Sequence, residues 1–235
     1  DLEMPGPDSG DRTHIEIPAV RIGVPMDNAF CFYYADNLDI LASYGAEIVC
    51  FSPLGDASLP ENLDGLYLGG GYPELFAKRL SENTGMRHQI REKSMDGLPI
   101  YGECGGFMYL CSEIRTTKGK RYAMAGCFPF VTTMFDCLKS LGYREITLTK
   151  DTIIGKSGQS IRGHEFHYSE ITEFSENTET VYQVSPRKGL KRTREGFLVN
   201  NTLGSYTHLH FGSFPDAAGS FVASCLKYQQ KKGDS

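Results

Sequence analysis

A cysteine set among glycines, Gly102-Glu103-Cys104-Gly105-Gly106, is the stretch of this chain best suited to chemistry. It has the form G-x-C-x-G, a thiol counterpart of the nucleophile elbow, in which a strained strand-to-helix turn exposes the attacking atom. Glycines flank such a residue because side chains there would collide with neighbouring backbone. A helix N-terminus behind the turn favours a thiolate and offers backbone N–H groups to an oxyanion. A lone cysteine is more often a packing residue, but the strand–turn–helix pattern around Cys104 favours the nucleophile. A thiol nucleophile needs a base, and His208 or His210 in Thr207-His208-Leu209-His210-Phe211 is the natural supplier. Alternation along a strand puts both histidines on one side. The triplet Gly69-Gly70-Gly71 could cradle a phosphate or present N–H groups to an oxyanion, but it lacks the Gly-Lys-Ser/Thr ending of a P-loop. Gly155-Lys156-Ser157 has that ending, but Lys150 stands where a P-loop needs its first glycine, so it reads as a polar hairpin turn. No nucleotide-binding loop is visible. His164-Glu165-Phe166-His167 is H-E-x-H, not the helical H-E-x-x-H of zinc proteases. On a strand its two histidines face opposite sides, so packing or substrate contact is a better reading than metal binding.

The elements that must position these residues alternate between β and α. Apolar runs at 21–25, 47–51, 65–68 and 98–101 read as buried strands. Helical spacing marks 33–44, closed by Gly45, as well as 84–96 and a helix covering 107–114. Pro73 and Glu74 suit the first turn of a helix after the glycine triplet. Such alternation predicts a parallel sheet covered by helices, with ligands gathering at the carboxyl ends of its strands. Asp27, the glycine triplet and Cys104 all fall at such ends. The texture then changes to short alternating segments at 143–148, 161–168, 181–184 and 196–199, which would extend the sheet or pack on it with antiparallel members. A strand over 204–211 carries the two histidines. A last helix from about Pro215 buries Ala218, Val222 and Cys225 and gives way to a polar tail over 229–235.

Composition narrows the class. A formal net charge of −5 over 235 residues argues against nucleic acid or an anionic membrane as a partner. No apolar run approaches the ~20 residues of a membrane span, and no signal peptide opens the chain, so a cytoplasmic location is expected. Seven cysteines, an odd number with no C-x-x-C, favour reduced thiols over a disulfide framework or a zinc site. Cys31, Cys50 and Cys225 lie in apolar segments and are expected to be buried and unreactive. Residues 1–18, with Pro5, Pro7, Pro18, Gly6 and Gly10 among charges, read as a linker or lead-in to a single domain over 19–235. A piece of a longer polypeptide is the expectation.

The wider motifs carry a resemblance. Asp27-Asn28-Ala29-Phe30-Cys31-Phe32-Tyr33-Tyr34, Leu68-Gly69-Gly70-Gly71-Tyr72-Pro73-Glu74-Leu75, Glu103-Cys104-Gly105-Gly106, Gly163-His164-Glu165-Phe166-His167-Tyr168 and His208-Leu209-His210-Phe211 occur in this order. With them the chain resembles, over about 21–228, the C-terminal glutaminase domain of cobyrinic acid a,c-diamide synthases, among the class I glutamine amidotransferases. The resemblance implies a three-layer α/β/α fold with a mostly parallel central sheet extended by antiparallel strands. It implies that Cys104 attacks the side-chain amide of glutamine, that His208 is the base, and that N–H groups of Gly70, Gly71 and Gly105 receive the oxyanion. Asp27, Glu103, Glu165 and His210 are candidate supporting groups. Most class I glutaminases orient the histidine with a glutamate two residues later; here that position is His210, which leaves the orienting group of His208 open. The resemblance implies no metal or cofactor in this chain. It places ATP and Mg in a separate synthetase domain of the parent protein, which amidates acetate carboxylates of a tetrapyrrole on the way to cobalamin. Two other readings use the same motifs. One is a glutaminase serving another synthetase, acting on nickel sirohydrochlorin or a cell-wall precursor. The other is a catalytically silent docking domain, against which an intact Cys104 and His208 weigh.

Overall fold

A computed structural model describes residues 20–173, 178–185 and 194–233; the expected lead-in over 1–18 lies outside the described residues. Strand β1 (Val20–Pro25) is followed by α1 (Ala35–Ser43), then β2 (Ala46–Phe51) and β3 (Gly65–Leu68). Helix α1 stops at Tyr44 and Gly45, whose φ of 93° is the left-handed conformation glycine adopts at low cost. A 3₁₀ turn (Pro73–Phe76) runs into α2 (Ala77–Glu82) and α3 (Thr84–Met95). The side chain of Asn83 caps α3, accepting from the Met86 N–H at 3.3 Å. Strand β4 (Ile100–Glu103) and helix α4 (Gly105–Leu110) flank Cys104. The remaining elements are β5 (Cys111–Arg115), β6 (Arg121–Ala123), β7 (Phe128–Met134), β8 (Ser140–Leu148), β9 (Ser160–His167), β10 (Ser169–Glu173), β11 (Glu179–Val184), β12 (Arg194–Val199), β13 (Thr202–Ser205), β14 (His208–Leu209), a 3₁₀ turn (Phe211–Ser213) and α5 (Asp216–Gly233).

Ten strands form one sheet in the order β14-β9-β8-β11-β12-β13-β4-β3-β1-β2. From β2 to β13 the neighbours are parallel; from β13 to β14 they are antiparallel. The pleat sends alternate residues to opposite faces. Leu66, Leu68 and Ile100 join a core with α2 and α3, while Tyr67 and Tyr101 join another with α1 and α5. Helices thus cover both faces of the parallel part, giving three layers. Only Tyr206 and Thr207 separate β13 from β14, yet four strands lie between them in the sheet. The antiparallel half must therefore curl back, which brings β9 and β14 over the carboxyl ends of the parallel strands.

The helix expected over 107–114 is cut short. Helix α4 ends at Leu110, and β5 joins a second sheet in the order β10-β7-β5-β6. Cys111 and Ile114 are fully buried, a spacing that suits helix as well as strand; pairing with β6 and β7 decides for strand. The strand expected over 204–211 is split at Tyr206 and Thr207. The residues expected as a polar tail continue α5 to Gly233. Cys225 is buried and burial pushes its thiol up, but Cys31 and Cys50 are exposed, against expectation. Cys31 lies in the loop after β1, and β2 is the edge strand of the sheet, so neither has a covering layer.

Candidate active site

Cys104 is the residue where β4 gives way to α4. Its backbone has φ 45° and ψ −102°, a left-handed conformation that costs a non-glycine residue about 1–3 kcal/mol. The surroundings over-determine it. The Cys104 N–H donates to Ser205 O (2.7 Å), its carbonyl accepts from Met108 N (2.9 Å), and Gly106 N–H donates to Gly69 O (2.9 Å). A Cβ on Gly106 would lie 2.2 Å from Leu68 O, so the elbow helix can approach β3 only with glycine there. Behind the turn, fully buried Phe107 stacks on Phe197 at 5.4 Å and meets Tyr206 edge-on at 5.3 Å. Burial of such a ring stabilises by roughly 1.5–3 kcal/mol, which anchors the strained turn.

A cleft of about 70 Å³ opens above Cys104, lined by Phe32, Gly71, Tyr72, His164, Phe166 and His208. The Cys104 thiol donates to Phe166 O at 3.8 Å. A roomier cavity of about 400 Å³, near Asn200, Asn201 and Lys227, lies at the other end of β4 and β13 and contains no cysteine or histidine. Cys104 and His208, the candidate nucleophile and base, both line the smaller cleft and not the larger cavity.

His208 is only 4% exposed. The Cε1 edge of its ring points at Gly70, where a Cβ would come within 2.3 Å of Cε1. One face stacks on His164, its cross-strand partner, with centroids 4.7 Å apart and planes at 12°. Phe32 meets it edge-on at 4.9 Å. Its Nδ1 faces Glu103 Oε2 at 3.8 Å, a charge contact rather than a direct hydrogen bond. Burial works against the imidazolium, but interactions with Cys104 and Glu103 outweigh it and push His208 up to about 10. His164 moves the other way, lowered by burial and by the charge of His208. Tyr34 Oη holds His164 Nδ1 at 2.6 Å. The turn presenting His208 is tied by the fully buried Glu195, which accepts from Ser205 Oγ, from Tyr206 N at 2.6 Å and from Gly196 N at 3.0 Å.

The other sequence candidates fall into distinct places. Glu103 lies directly beneath the cysteine and beside His208. Gly105 packs against Gly71, where an added Cβ would come within 2.9 Å of Gly71 N. At the first position of α4 the Gly105 N–H has no intrahelical acceptor. The Gly70 N–H differs from the expectation: it donates to Phe32 O at 3.0 Å, half of a two-bond bridge completed by Phe32 N to Gly70 O at 3.1 Å. Asp27 is outside the cleft. Its carboxylate accepts from Ala29 N, Phe30 N, Leu54 N and Ser52 Oγ, so it folds the loop that braces the glycine turn. Glu165 faces the opposite side of β9 from His164, in a buried ion pair with Arg144 at 3.1 Å. His167 is on that side as well. His210 does not share the side of His208 that alternation predicted. The strand ends at Leu209, and the half-exposed His210 ring turns to Asp36 (3.4 Å) and Tyr34 (4.9 Å). Sequence reasoning did not single out Phe32, Tyr34 and Tyr72 individually, nor Tyr67 and Tyr101 beneath the site; the aromatic density of 30–34 was the available signal.

Residues 21–216 match the model of the CobB/CobQ-like glutamine amidotransferase domain. The chain belongs to this family. A cobyrinate a,c-diamide synthase of Methanosarcina acetivorans is 46% identical over 227 residues, covering 92% of this chain and 45% of that protein. One from Caldanaerobacter subterraneus is 42% identical over 213 residues, covering 90% and 46%. The chain thus spans somewhat less than half the length of these relatives. Among solved structures, a putative GMP synthase component of Thermoplasma acidophilum superposes with a TM-score of 0.63 at 18% identity, covering 91% of this chain and 98% of that one. PurLQS from Thermotoga maritima gives 0.61 at 15%, covering 89% and 98%. At these identities the likeness is one of fold.

Proposed function

We propose that this glutamine amidotransferase domain releases ammonia from glutamine through a thioester on Cys104. The observation that carries the reading is the strained Cys104 elbow facing the same cleft as a buried, carboxylate-backed His208. His208 accepts the thiol proton, and Sγ bonds to the side-chain amide carbon of glutamine. The oxyanion that forms is received by the N–H groups of Gly71 and Gly105. The carbon–nitrogen bond then breaks, and His208 returns the proton to the departing ammonia. Water, deprotonated by the same imidazole, cleaves the γ-glutamyl thioester to glutamate and restores the thiol.

The names of the relatives support a finer reading, in which the ammonia serves ATP-dependent amidation of tetrapyrrole acetate carboxylates in cobalamin formation by a synthetase half of the parent protein. Glutamate release by the unmodified chain and by Cys104→Ala tests the chemistry; retained turnover in the variant would refute it. Amidation of cobyrinate by the full-length protein, with glutamine or with added ammonia, tests the finer reading.

A further inference from the structure

The position that most class I glutaminases reserve for the orienting glutamate is His210 in this chain, and that ring faces Asp36 rather than His208. Yet His208 Nδ1 is buried and has no hydrogen-bond partner, and it points at the carboxylate of Glu103. We infer that Glu103, the residue immediately before the nucleophile, is the positioning carboxylate of His208 and completes a Cys104–His208–Glu103 constellation. This inference rests on the glutaminase reading above.

Glu103 is built for that task. It is 1% exposed at the end of a strand whose every residue is buried. Its Oε1 accepts from Tyr101 Oη (2.6 Å) and from the backbone N–H of Leu209 (2.9 Å); its Oε2 accepts from Tyr67 Oη (3.0 Å). Tyr67 is in turn fixed by Asn37 Nδ2 at 3.2 Å. Three donors fix the carboxyl group in place. The bond from Leu209 N ties Glu103 to the residue after His208, so carboxylate and imidazole move as a unit. With Nδ1 turned toward Glu103, Nε2 is left for the proton exchanged with Cys104 and with ammonia. The gap of 3.8 Å is a charge contact that favours the imidazolium over the neutral ring. The other groups facing the imidazole are the Cys104 thiol and the His164 ring. With its pKa lowered and its Nδ1 held by Tyr34, His164 is a neutral neighbour that leaves Glu103 as the counter-charge.

The test is Glu103→Gln, an isosteric change, alongside Cys104→Ala. Glutamine turnover should fall about 10²-fold or more in Glu103→Gln with KM changed little, since the group acts on proton transfer and not on substrate binding. Followed by ¹⁵N NMR, the His208 titration should move down by about one pH unit or more, the effect of removing a close opposite charge. Glu103→Asp, which keeps the charge, should lie between. Turnover within about threefold of the unmodified chain, or an unmoved His208 titration, overturns the inference. If Cys104→Ala still turns over glutamine, the glutaminase reading itself fails, whatever Glu103→Gln does. If Cys104→Ala is inactive and Glu103→Gln is not, only the role of Glu103 falls. A second measurement avoids any folding defect: in the unmodified chain, the proton His208 retains above its titration should sit on Nδ1. The Nε2–H tautomer would overturn the inference.

Discussion

A histidine carried by a two-residue strand does most to set the chemistry at the scale of single residues. His208 is buried against a glycine, a second imidazole and a carboxylate, whereas His210 sits at the surface beside Asp36. His208→Asn should lower glutamine turnover by roughly 10²–10⁴-fold, the usual reach of general acid–base catalysis. His210→Asn should cost less than about tenfold; steady-state glutamate release ranks the two, and the reverse order would refute the assignment. Cys104→Ala should abolish glutamine hydrolysis but leave amidation from added ammonia intact in the full-length protein, since ammonia bypasses the thioester. Thiol labelling has to be read by peptide, because Cys31, Cys50 and Cys137 are exposed while Cys104 is buried.

Two elements shape the cleft, the glycine turn and the β8–β9 hairpin. Gly70 is where the turn meets His208, and a Cβ there would lie 2.3 Å from the ring. Gly70→Ala should therefore lower kcat at least about tenfold with the fold kept, checked by kinetics beside circular dichroism. The hairpin carries His164 and Phe166 into the cleft on one face and anchors itself by Glu165 on the other. Arg144 and Glu165 are both buried, and Ser140 and Thr207 add hydrogen bonds to the carboxylate. Glu165→Ala leaves an unpaired buried guanidinium and should destabilise by about 3–5 kcal/mol, read from denaturant unfolding. Burial works to raise Glu165, but Ser140, Arg144, His167 and Thr207 together bring it below its ordinary value. A carboxylate lowered on folding contributes stability above its unfolded pKa of about 4.3 and loses it as pH falls further. The unmodified protein should lose more stability than Glu165→Gln on acidification below that value.

The whole molecule bears on whether the site is ready for work by itself. In the structure the Gly70 N–H is engaged by Phe32 O, and Phe32, Tyr72, Phe166 and Tyr168 stand exposed around the cleft. A glycine turn can change its hydrogen bonding at small cost. Glutamine turnover by this chain should therefore be low and should rise when the other half of the parent protein, ATP and the acceptor are supplied. Comparison of kcat with and without that half is the measurement; equal values would show the cleft to be organised already. ATP should not bind this chain tightly by calorimetry, as no P-loop is present in its sequence.

The sequence by itself determined the features that depend on neighbours along the chain. The G-x-C-x-G run marks the elbow because only glycines tolerate the approach of α4 to β3. The β-α-β rhythm up to Cys104 follows from local apolar periodicity, and the glycine triplet from the close contacts a strand end requires. Tertiary structure decided whatever depends on remote pairing. Residues 111–115 carry apolar positions that suit helix or strand, and only β6 and β7 select the strand. The curl of the antiparallel half cannot be read from alternation, yet it sets β9 against β14 and stacks His164 on His208. Period-two reasoning placed His210 with His208 because it assumed that the strand continued past Leu209. Glu103 reads in sequence as a charged residue beside a cysteine; its meeting with His208 needs β4 and β14, far apart in the chain, brought to one rim. Local sequence singles out Cys104, and long-range packing chooses what surrounds His208.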